Sequence, residues 1–288
     1  MNKKKKYYFN KNQFLIDFDV IEKDLFLLGD IHNIRFMLPK LFDTQHEDVA
    51  AAEKRFQNGK GYLFTNGTGT GKTYVGLGIA KRFYIQNKKN ILIVVPTDKK
   101  STDWVEDGAT IGLNITRLSS VVDKGIEVTV TTYANFYQNE ALNERHWDLI
   151  IYDESHYLNQ NEQGKETCYL QKHKELSNVP SVARQKAFQY PGVYQTFTNA
   201  EGELERKIDK ELYDKIYMDY IEKTKVVFLS ATPFAYHKSI KYADGCLFDI
   251  YEKVIVEKET SYGYNDTDQW EQFMVENFGY RMKYNKIT

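Results

Sequence analysis

The sequence is short of the residues and patterns that mark several specialised protein classes. Its 288 residues include two cysteines, Cys168 and Cys246, which lie far apart and have no histidine paired with them at metal-ligand spacing. This excludes a zinc site or a disulfide framework built on cysteine spacing, and it indicates a reducing, cytoplasmic setting. No apolar run approaches the length of a membrane-spanning helix. The lysine-rich start is soon followed by Lys11, Asp17 and Asp19, which excludes a secretion signal.

An excess of charge of one sign is also missing, because the formal net charge is -1 at pH 7. A nucleic-acid-binding surface would therefore be a local patch and not a property of the whole molecule. Hydrophobic residues make up 42% of the chain and charged residues 27%, which is typical of a globular protein with a sizeable core. The length allows one large domain or two of ordinary size.

Short apolar runs alternate with amphipathic segments along most of the chain. The run Ile91–Val95 is apolar throughout, which is typical of a strand buried on both faces of a parallel sheet. We therefore predict an α/β fold with a mainly parallel central sheet. The predicted strands are 62–64, Ile91–Val95, Val128–Thr132, 149–151 and 226–229, and a helix is predicted over 74–86. The polar motifs follow these strands, at the edge where open α/β sheets bind ligands.

Two regions do not fit this repeating pattern. Residues 1–45 precede the first core strand and are expected to pack on the core as helices. Residues 157–224 form a long insertion between two core strands. The end of the insertion is predicted to be an amphipathic helix, because apolar side chains recur there at a spacing of four residues. These side chains are Ile208, Leu212, Ile216 and Tyr220.

A glycine-rich segment between a predicted strand and a predicted helix has the pattern of a phosphate-binding loop. Its glycines let successive backbone N–H groups point inward at a phosphate, and the following helix adds its positive dipole end. Lys72 can reach the β- and γ-phosphates, and the Thr73 hydroxyl can ligate Mg²⁺. Asn66 stands where glycine or alanine usually opens the pattern. The predicted nucleotide-binding residues of the loop are Gly67, Thr68, Gly69, Thr70, Gly71, Lys72 and Thr73.

Two adjacent carboxylates, Asp153 and Glu154, end the predicted strand 149–151. Phosphoryl transfer needs one carboxylate to hold Mg²⁺ and a second to orient or deprotonate the attacking water, and we assign these roles to Asp153 and Glu154 in that order. His156 is placed to sense the γ-phosphate and to signal to the next strand.

A second polar motif, Ser230-Ala231-Thr232, follows the last predicted core strand. The hydroxyls of Ser230 and Thr232 are expected to link the hydrolysis centre to a nucleic-acid side. A strand end capped by serine and threonine is the plainer alternative.

Together these residues resemble the motifs of superfamily 2 helicases. The loop 67–73 is similar to motif I, the segment 153–156 to a DExH-type motif II and the segment 230–232 to motif III. Thr97 and Trp104 are similar to motif Ia. Weaker matches are Thr131 and Thr132 as a backbone-contact motif, and Gln45 as the glutamine that reads adenine. The closest branches are Swi/Snf-like and strawberry-notch-like helicases of mobile elements and restriction systems.

The resemblance implies a RecA-like P-loop domain that uses ATP and Mg²⁺ and acts on nucleic acid, with DNA expected. It implies an ATPase core over 46–240 and a C-terminal segment over 241–288, in which a helix is predicted at 268–277. It also implies a second RecA-like domain that carries arginine fingers. Too few residues follow Pro233 for such a domain, so we expect it in cis or in trans and expect the chain alone to be weakly active. A nuclease or methyltransferase is a further expected partner.

Two other functions compete with a motor. The chain could be a non-motor nucleotide-binding subunit that recruits a DNA-modifying or restriction enzyme, or, with less support, a small-molecule kinase. Two functions are open for the insertion. Its basic and aromatic residues suit stacking with nucleic-acid bases, but such an insertion is more often a solvated lobe or a surface for another subunit. These basic residues are Lys172, Lys174, Arg184 and Lys186.

Overall fold

The structure is a computed structural model. It describes residues 26–67, 69–118, 126–158, 167–198, 202–233 and 242–248, together with the backbone of 282–283 and 286–287. The predicted helix at 268–277 lies outside these residues, and so do Thr68 of the glycine-rich loop and residues 1–25.

Six parallel strands form the central sheet, in the order β1-β8-β5-β2-β4-β3. Two small antiparallel pairs, β6 with β7 and β9 with β10, lie outside it. The strands are β1 (Gly61–Phe64), β2 (Ile91–Val95), β3 (Thr116–Arg117), β4 (Val128–Thr132), β5 (Leu149–Asp153), β6 (Tyr194–Thr198), β7 (Leu204–Ile208), β8 (Lys225–Leu229), β9 (Met282–Lys283) and β10 (Lys286–Ile287). The predicted α/β fold with a mainly parallel sheet is confirmed.

Helices cover both faces of this sheet, as the continuous apolar strands predicted. They are α1 (Ile31–Met37), α2 (Asp43–Asn58), α3 (Lys72–Ile85), α4 (Asp98–Thr110), α5 (Tyr133–Gln138), α6 (Cys168–Ser177), α7 (Pro180–Gln189) and α8 (Lys210–Lys223). Short 3₁₀ turns occupy Glu140–Glu144 and Ser155–Leu158. Among the helices that the structure describes, none combines the length and the apolar character needed to span a bilayer.

Alternation along the strands divides the core into two layers. On β2, Ile91, Ile93 and Val95 pack in one layer with side chains of α1 to α4, whereas Leu92 and Val94 pack in the other. The second layer also holds side chains of α5 and α6. Since successive strand residues point to opposite faces, one apolar run supplies both layers.

The described part of the N-terminal region is helical and is locked to α3 by a buried ion pair. Arg82 of α3 donates to Glu53 of α2 at 2.6 Å, and both side chains are fully enclosed. Arg82 also donates to Asn33 at 2.7 Å and to the Leu27 carbonyl at 2.9 Å. Helix α2 runs through residue 45, so the proposed boundary at 45 falls inside a helix, and the domain division stays a prediction.

The insertion has an inner part and an outer part. Helix α6 is inner, because Leu170, His173 and Leu176 are buried in the second core layer or against it. We call residues 180–198 and 202–223, which form α7, the β6–β7 hairpin and α8, the outer lobe. Helix α8 corresponds to the predicted amphipathic helix, but none of its residues is buried.

Candidate active site

The strand register brings the predicted motifs to one edge of the sheet. Phe64, the last residue of β1, pairs with Leu229 of β8, and Leu229 pairs with Asp153 of β5. The backbone N–H of Ser230 donates to the Phe64 carbonyl at 3.1 Å. The glycine-rich loop, the Ser230 motif and the Asp-Glu pair therefore leave the sheet side by side.

The glycine-rich loop curls around the ammonium group of its own lysine. The Lys72 Nζ donates to the carbonyls of Asn66 at 2.7 Å and Gly67 at 2.8 Å. Gly69 and Gly71 have φ values of 80° and 77°, in the left-handed region that favours glycine. Helix α3 begins at Lys72, so its free N–H groups face the loop, and Thr73 lies half-buried in its first turn.

Helix α2 contacts the same loop through two polar side chains. The Gln45 Nε2 donates to the Gly71 carbonyl at 3.3 Å, and its Oε1 accepts from the Phe42 N–H at 2.9 Å. Asn66 donates through Nδ2 to the Asp48 carboxylate at 2.8 Å. Burial raises the pKa of Asp48. The asparagine at the unusual loop position thus ties the loop to α2, which the motif pattern alone did not reveal.

Asp153 is buried at the end of β5, and its main partner is Trp104 of α4. The Trp104 indole N–H donates to the Asp153 Oδ2 at 3.0 Å. Burial raises the pKa of Asp153, although the Trp104 hydrogen bond and the charge of Lys100 oppose this effect. Sequence reasoning placed Trp104 in a motif but did not identify this contact. Tyr133 of α5 donates to the Asp153 backbone carbonyl at 3.0 Å and so holds the strand end.

The remaining site residues form a chain of contacts from Glu154 to Ser230. Glu154 has a φ of 52°, in the left-handed region, at the turn that follows β5. The His156 Nδ1 lies 3.3 Å from the Glu154 Oε2 and 3.2 Å from the Ser230 Oγ. Ser230 is fully buried, and its Oγ accepts from the Thr232 N–H at 3.3 Å. His156 therefore joins the two motifs directly.

The predicted nucleic-acid contacts lie at the carboxyl ends of β2 and β4. Thr97 caps α4 by accepting from the Lys100 N–H at 3.3 Å, and Thr132 caps α5 by accepting from the Asn135 N–H at 3.3 Å. Thr131 is buried, and its hydroxyl accepts from the Asn135 amide at 2.8 Å. Thr131 also lines a cleft at this edge, so its contact with nucleic acid stays a prediction.

Comparison with known proteins agrees with this geometry. Residues 38–235 match the family model described as "Type III restriction enzyme, res subunit". The chain belongs to this family. No curated protein matches the sequence. The predicted identity as a superfamily 2 helicase RecA-like domain is confirmed, and domains of this type generally use ATP and Mg²⁺.

Two solved structures are similar to this res-subunit family member. The first is the Sulfolobus solfataricus SWI2/SNF2 ATPase core in complex with dsDNA, with a TM-score of 0.50, 15% identity, and coverage of 81% of this chain and 42% of that one. The second is the UvsW helicase from Bacteriophage T4, with a TM-score of 0.45, 13% identity, and coverage of 76% and 66%. The chain thus spans less than half of the first protein and about two thirds of the second. The first likeness supports the shared fold.

Proposed function

We propose that this res-subunit family member binds ATP with Mg²⁺ at the shared sheet edge and couples ATP hydrolysis to movement along DNA in the cytoplasm. The observation that carries this proposal is the row Phe64–Leu229–Asp153, in which β8 alone separates the strand before the glycine-rich loop from the strand that ends in the acidic pair. DNA is favoured because the family is a restriction-enzyme family and because one similar structure is described with dsDNA.

The loop fits a triphosphate by shape and by charge. A Cβ atom added to Gly67 or to Gly69 would meet no atom within 4 Å, so there is open space beside both residues. The partners of Lys72 in this structure are neutral carbonyls, and a phosphate would be a stronger acceptor for its ammonium group. Backbone N–H groups at the start of α3 face the same space. Gln45, already against the loop, is the residue we assign to adenine.

The donor set fits Mg²⁺, which prefers carboxylate and hydroxyl oxygens. Asp153 and Thr73 would hold it, and bound Mg²⁺ would neutralise charge on the phosphates. Burial raises the pKa of Asp153, and a bound divalent cation would counter this by favouring the charged carboxylate. Lys72 would bind the β- and γ-phosphates from the loop side.

Glu154 is the carboxylate that we assign to the attacking water. Its side chain is partly exposed, unlike that of Asp153, so water can reach it. His156 lies within 3.3 Å of that carboxylate and also contacts Ser230. A change around Glu154 would therefore be passed to Ser230 and Thr232 on the neighbouring strand, as coupling between hydrolysis and movement requires.

The nucleic-acid side would use the helix starts at Thr97 and Thr132. Both threonines cap helices whose free N–H groups lie at the carboxyl edge, where they can bind phosphates without reading sequence. A cleft of about 330 Å³ lies between these caps and is lined partly by Ser101, Arg117 and Asn135. Thr131 also lines this cleft, although most of its side chain is buried.

We propose that a second RecA-like domain, in cis or in trans, completes the catalytic site. Among the described residues, three arginines already have polar partners, since Arg82 pairs with Glu53, Arg117 with Asp98 and Arg145 with Asn90. An arginine finger is worth roughly 10³ to 10⁵ in rate, so the 288-residue chain alone would hydrolyse ATP slowly or not at all. A nuclease or methyltransferase would be the partner that uses the movement.

The proposed function is tested by nucleotide binding to variants of two lysines on one helix. Lys72→Ala should weaken binding of a fluorescent ATP analogue by at least about 100-fold, because it removes the phosphate-binding cation. Lys81→Ala is the matched control, since Lys81 also lies on α3 and donates to a backbone carbonyl, that of Gly112. Equal binding by the wild type and Lys72→Ala would contradict the proposal.

The assignment of Glu154 is tested separately. Glu154→Gln should keep the nucleotide affinity within about twofold and should reduce any DNA-stimulated turnover by roughly 10² to 10⁴, the usual contribution of a general base. Phosphate release would be followed with the chain alone and with a second RecA-like domain added. Turnover at the wild-type rate would remove Glu154 from this role. Robust DNA-stimulated turnover by the wild-type chain alone would contradict the need for a second domain.

A further inference from the structure

Trp104 is a buried side chain whose only polar atom is committed to the site. Its relative exposure is 0%, and its indole N–H donates to the Asp153 Oδ2 at 3.0 Å. An indole N–H is a donor and never an acceptor, so it cannot hold a cation itself. Losing its acceptor would leave a buried donor unsatisfied, which is unfavourable. The position of Trp104 and the orientation of the Asp153 carboxylate are therefore linked.

The ring of Trp104 also packs against the helix that follows the phosphate loop. A Cβ atom on Gly76 of α3 would lie 2.7 Å from the Trp104 Cη2 and 3.1 Å from the Leu229 Cδ1. The absence of a side chain at Gly76 therefore allows the ring to approach α3 closely. Trp104 thus lies against the phosphate-loop helix and also holds the carboxylate that we assign to Mg²⁺.

The same tryptophan belongs to the helix that begins at a proposed DNA contact. Thr97 caps α4, and Trp104 lies seven residues further along, about 10 Å away along a helix axis. Two turns of one helix therefore separate the phosphate-binding end of α4 from the carboxylate. A tilt or shift of this helix would move the indole N–H together with Thr97, because a short α-helix behaves as one rigid unit.

On the basis of the proposed function, we propose that Trp104 is a positioning residue that orients Asp153 for Mg²⁺ and transmits DNA contact at Thr97 to the metal site. Trp104 touches neither the nucleotide nor the metal in this account. It acts through the orientation of the Asp153 carboxylate. Groups that position a metal ligand in this way typically change metal affinity by about 10- to 100-fold when they are removed.

The test compares two buried tryptophans. Trp104→Phe keeps a ring and removes the N–H donor of the site. Trp147→Phe is the matched control, because Trp147 is equally buried but donates to the Leu142 backbone carbonyl at 3.1 Å. Affinity for a fluorescent ATP analogue would be measured in EDTA and across a Mg²⁺ titration, each with and without a DNA oligonucleotide.

Trp104→Phe should raise the Mg²⁺ concentration needed for tight nucleotide binding by about tenfold and leave the affinity in EDTA unchanged. DNA should shift the Mg²⁺ midpoint of the wild type and of Trp147→Phe, but not that of Trp104→Phe. The inference would be overturned if Trp104→Phe had the same Mg²⁺ midpoint as the wild type and the same shift of that midpoint on adding DNA. Absence of nucleotide binding by the wild type would instead refute the proposed function, so the two failures are distinguishable.

A spectroscopic measurement covers the case in which Trp104→Phe does not fold. The sequence has three tryptophans, so Trp147→Phe combined with Trp270→Phe leaves Trp104 as the sole indole emitter. Adding Mg²⁺ to the nucleotide-bound protein should change the emission of Trp104, because its acceptor would become a metal ligand. The inference would also be overturned if this protein bound nucleotide more tightly with Mg²⁺ while the emission of Trp104 did not respond to Mg²⁺.

Discussion

Helices α3 and α8 each have 14 residues, but they are stabilised in opposite ways. Nine residues of α3 are buried, whereas none of α8 is. Helix α3 lies between the sheet and α2, while α8 packs on α7 in the outer lobe, for example through the 4.5 Å approach of the Phe188 and Tyr213 rings. The motifs of the candidate active site adjoin buried elements such as α3, and not exposed elements such as α8.

Because of this difference, we expect the two regions to respond differently to substitutions. Around α3, side chains fill enclosed space and polar atoms have fixed partners, so a change affects both stability and the geometry of the site. In the outer lobe, side chains such as Tyr194, Ile208 and Met218 remain largely exposed. A change at one of these exposed side chains removes little buried surface, so it should affect contacts with other molecules more than stability.

The largest expected contrast concerns ion pairs in the two regions. Glu53→Ala leaves the fully buried Arg82 without its carboxylate and should reduce the free energy of unfolding by about 3–5 kcal/mol. Asp219→Ala removes a pair with Lys223 on α8, where both side chains are about half exposed, and should cost under about 1 kcal/mol. Urea denaturation measures both values. Equal losses of unfolding free energy in the two variants would contradict the distinction between a buried inner region and an exposed outer lobe.

Acid should destabilise the inner part of the insertion through His173. Burial lowers the pKa of His173 to about 3, so the folded protein keeps this histidine neutral. Below the ordinary pKa of 6.5 the unfolded chain binds a proton that the folded protein does not, so stability falls as the pH drops. Between pH 7 and pH 4 this single group should lower the free energy of unfolding by roughly 3 kcal/mol.

His173→Gln should flatten this part of the pH dependence, and His146→Gln, at an exposed histidine, controls for the loss of a histidine as such. Denaturation at a series of pH values, with all three proteins measured in parallel, provides the comparison. If the stability of His173→Gln fell with decreasing pH as steeply as that of the wild type, the acid sensitivity would belong to other groups.

Close packing around Trp104 should make Gly76 sensitive to a single methyl group. Gly76→Ala would place a Cβ 2.7 Å from the Trp104 ring, and such overpacking typically costs about 1–3 kcal/mol. Gly67→Ala is the control for stability, because its Cβ would meet nothing within 4 Å. Thermal unfolding of both variants measures the difference. Alanine also gains about 1 kcal/mol of helix propensity over glycine inside α3. A Gly76→Ala variant stabilised by that full amount would show that the ring can move, which would also weaken the role proposed for Trp104.

The smallest expected effect lies on the exposed face of α8. Met218→Ala should change the free energy of unfolding by less than about 0.5 kcal/mol, since the side chain is already 47% exposed. Its helix propensity changes little as well. A loss above 2 kcal/mol in urea denaturation would indicate that the outer lobe buries this side chain against another surface in solution.

Much of the sheet and the placement of the motifs could be predicted from the sequence. The run Ile91–Val95 is apolar because β2 is buried on both faces, and this kind of signal is contained in the strand itself. The positions of Lys72 and Asp153 followed in the same way, since polar residues after parallel strands share one edge. The predicted helix start at residue 74 was two residues late, because the helix begins directly at the loop lysine.

The contacts that hold the site were not predictable from local pattern. Trp104 and Asp153 are 49 residues apart in the chain, and their hydrogen bond depends on how α4 lies over the sheet. The link between Asn66 and Asp48 depends on the packing of α2 in a similar way. The burial of Thr131 also depends on tertiary packing, because β4 is covered on both faces. The inner position of α6 likewise follows from tertiary packing.

The claim that the loop and the acidic pair form one nucleotide site is tested most directly by Asp153→Asn. Affinity for a fluorescent ATP analogue would be measured in EDTA and in Mg²⁺ for this variant and the wild type. We predict that the two proteins bind the analogue with equal affinity in EDTA. Mg²⁺ should increase the affinity of the wild type, and in Asp153→Asn this increase should be smaller by at least about tenfold. An undiminished Mg²⁺ gain in Asp153→Asn would contradict the account.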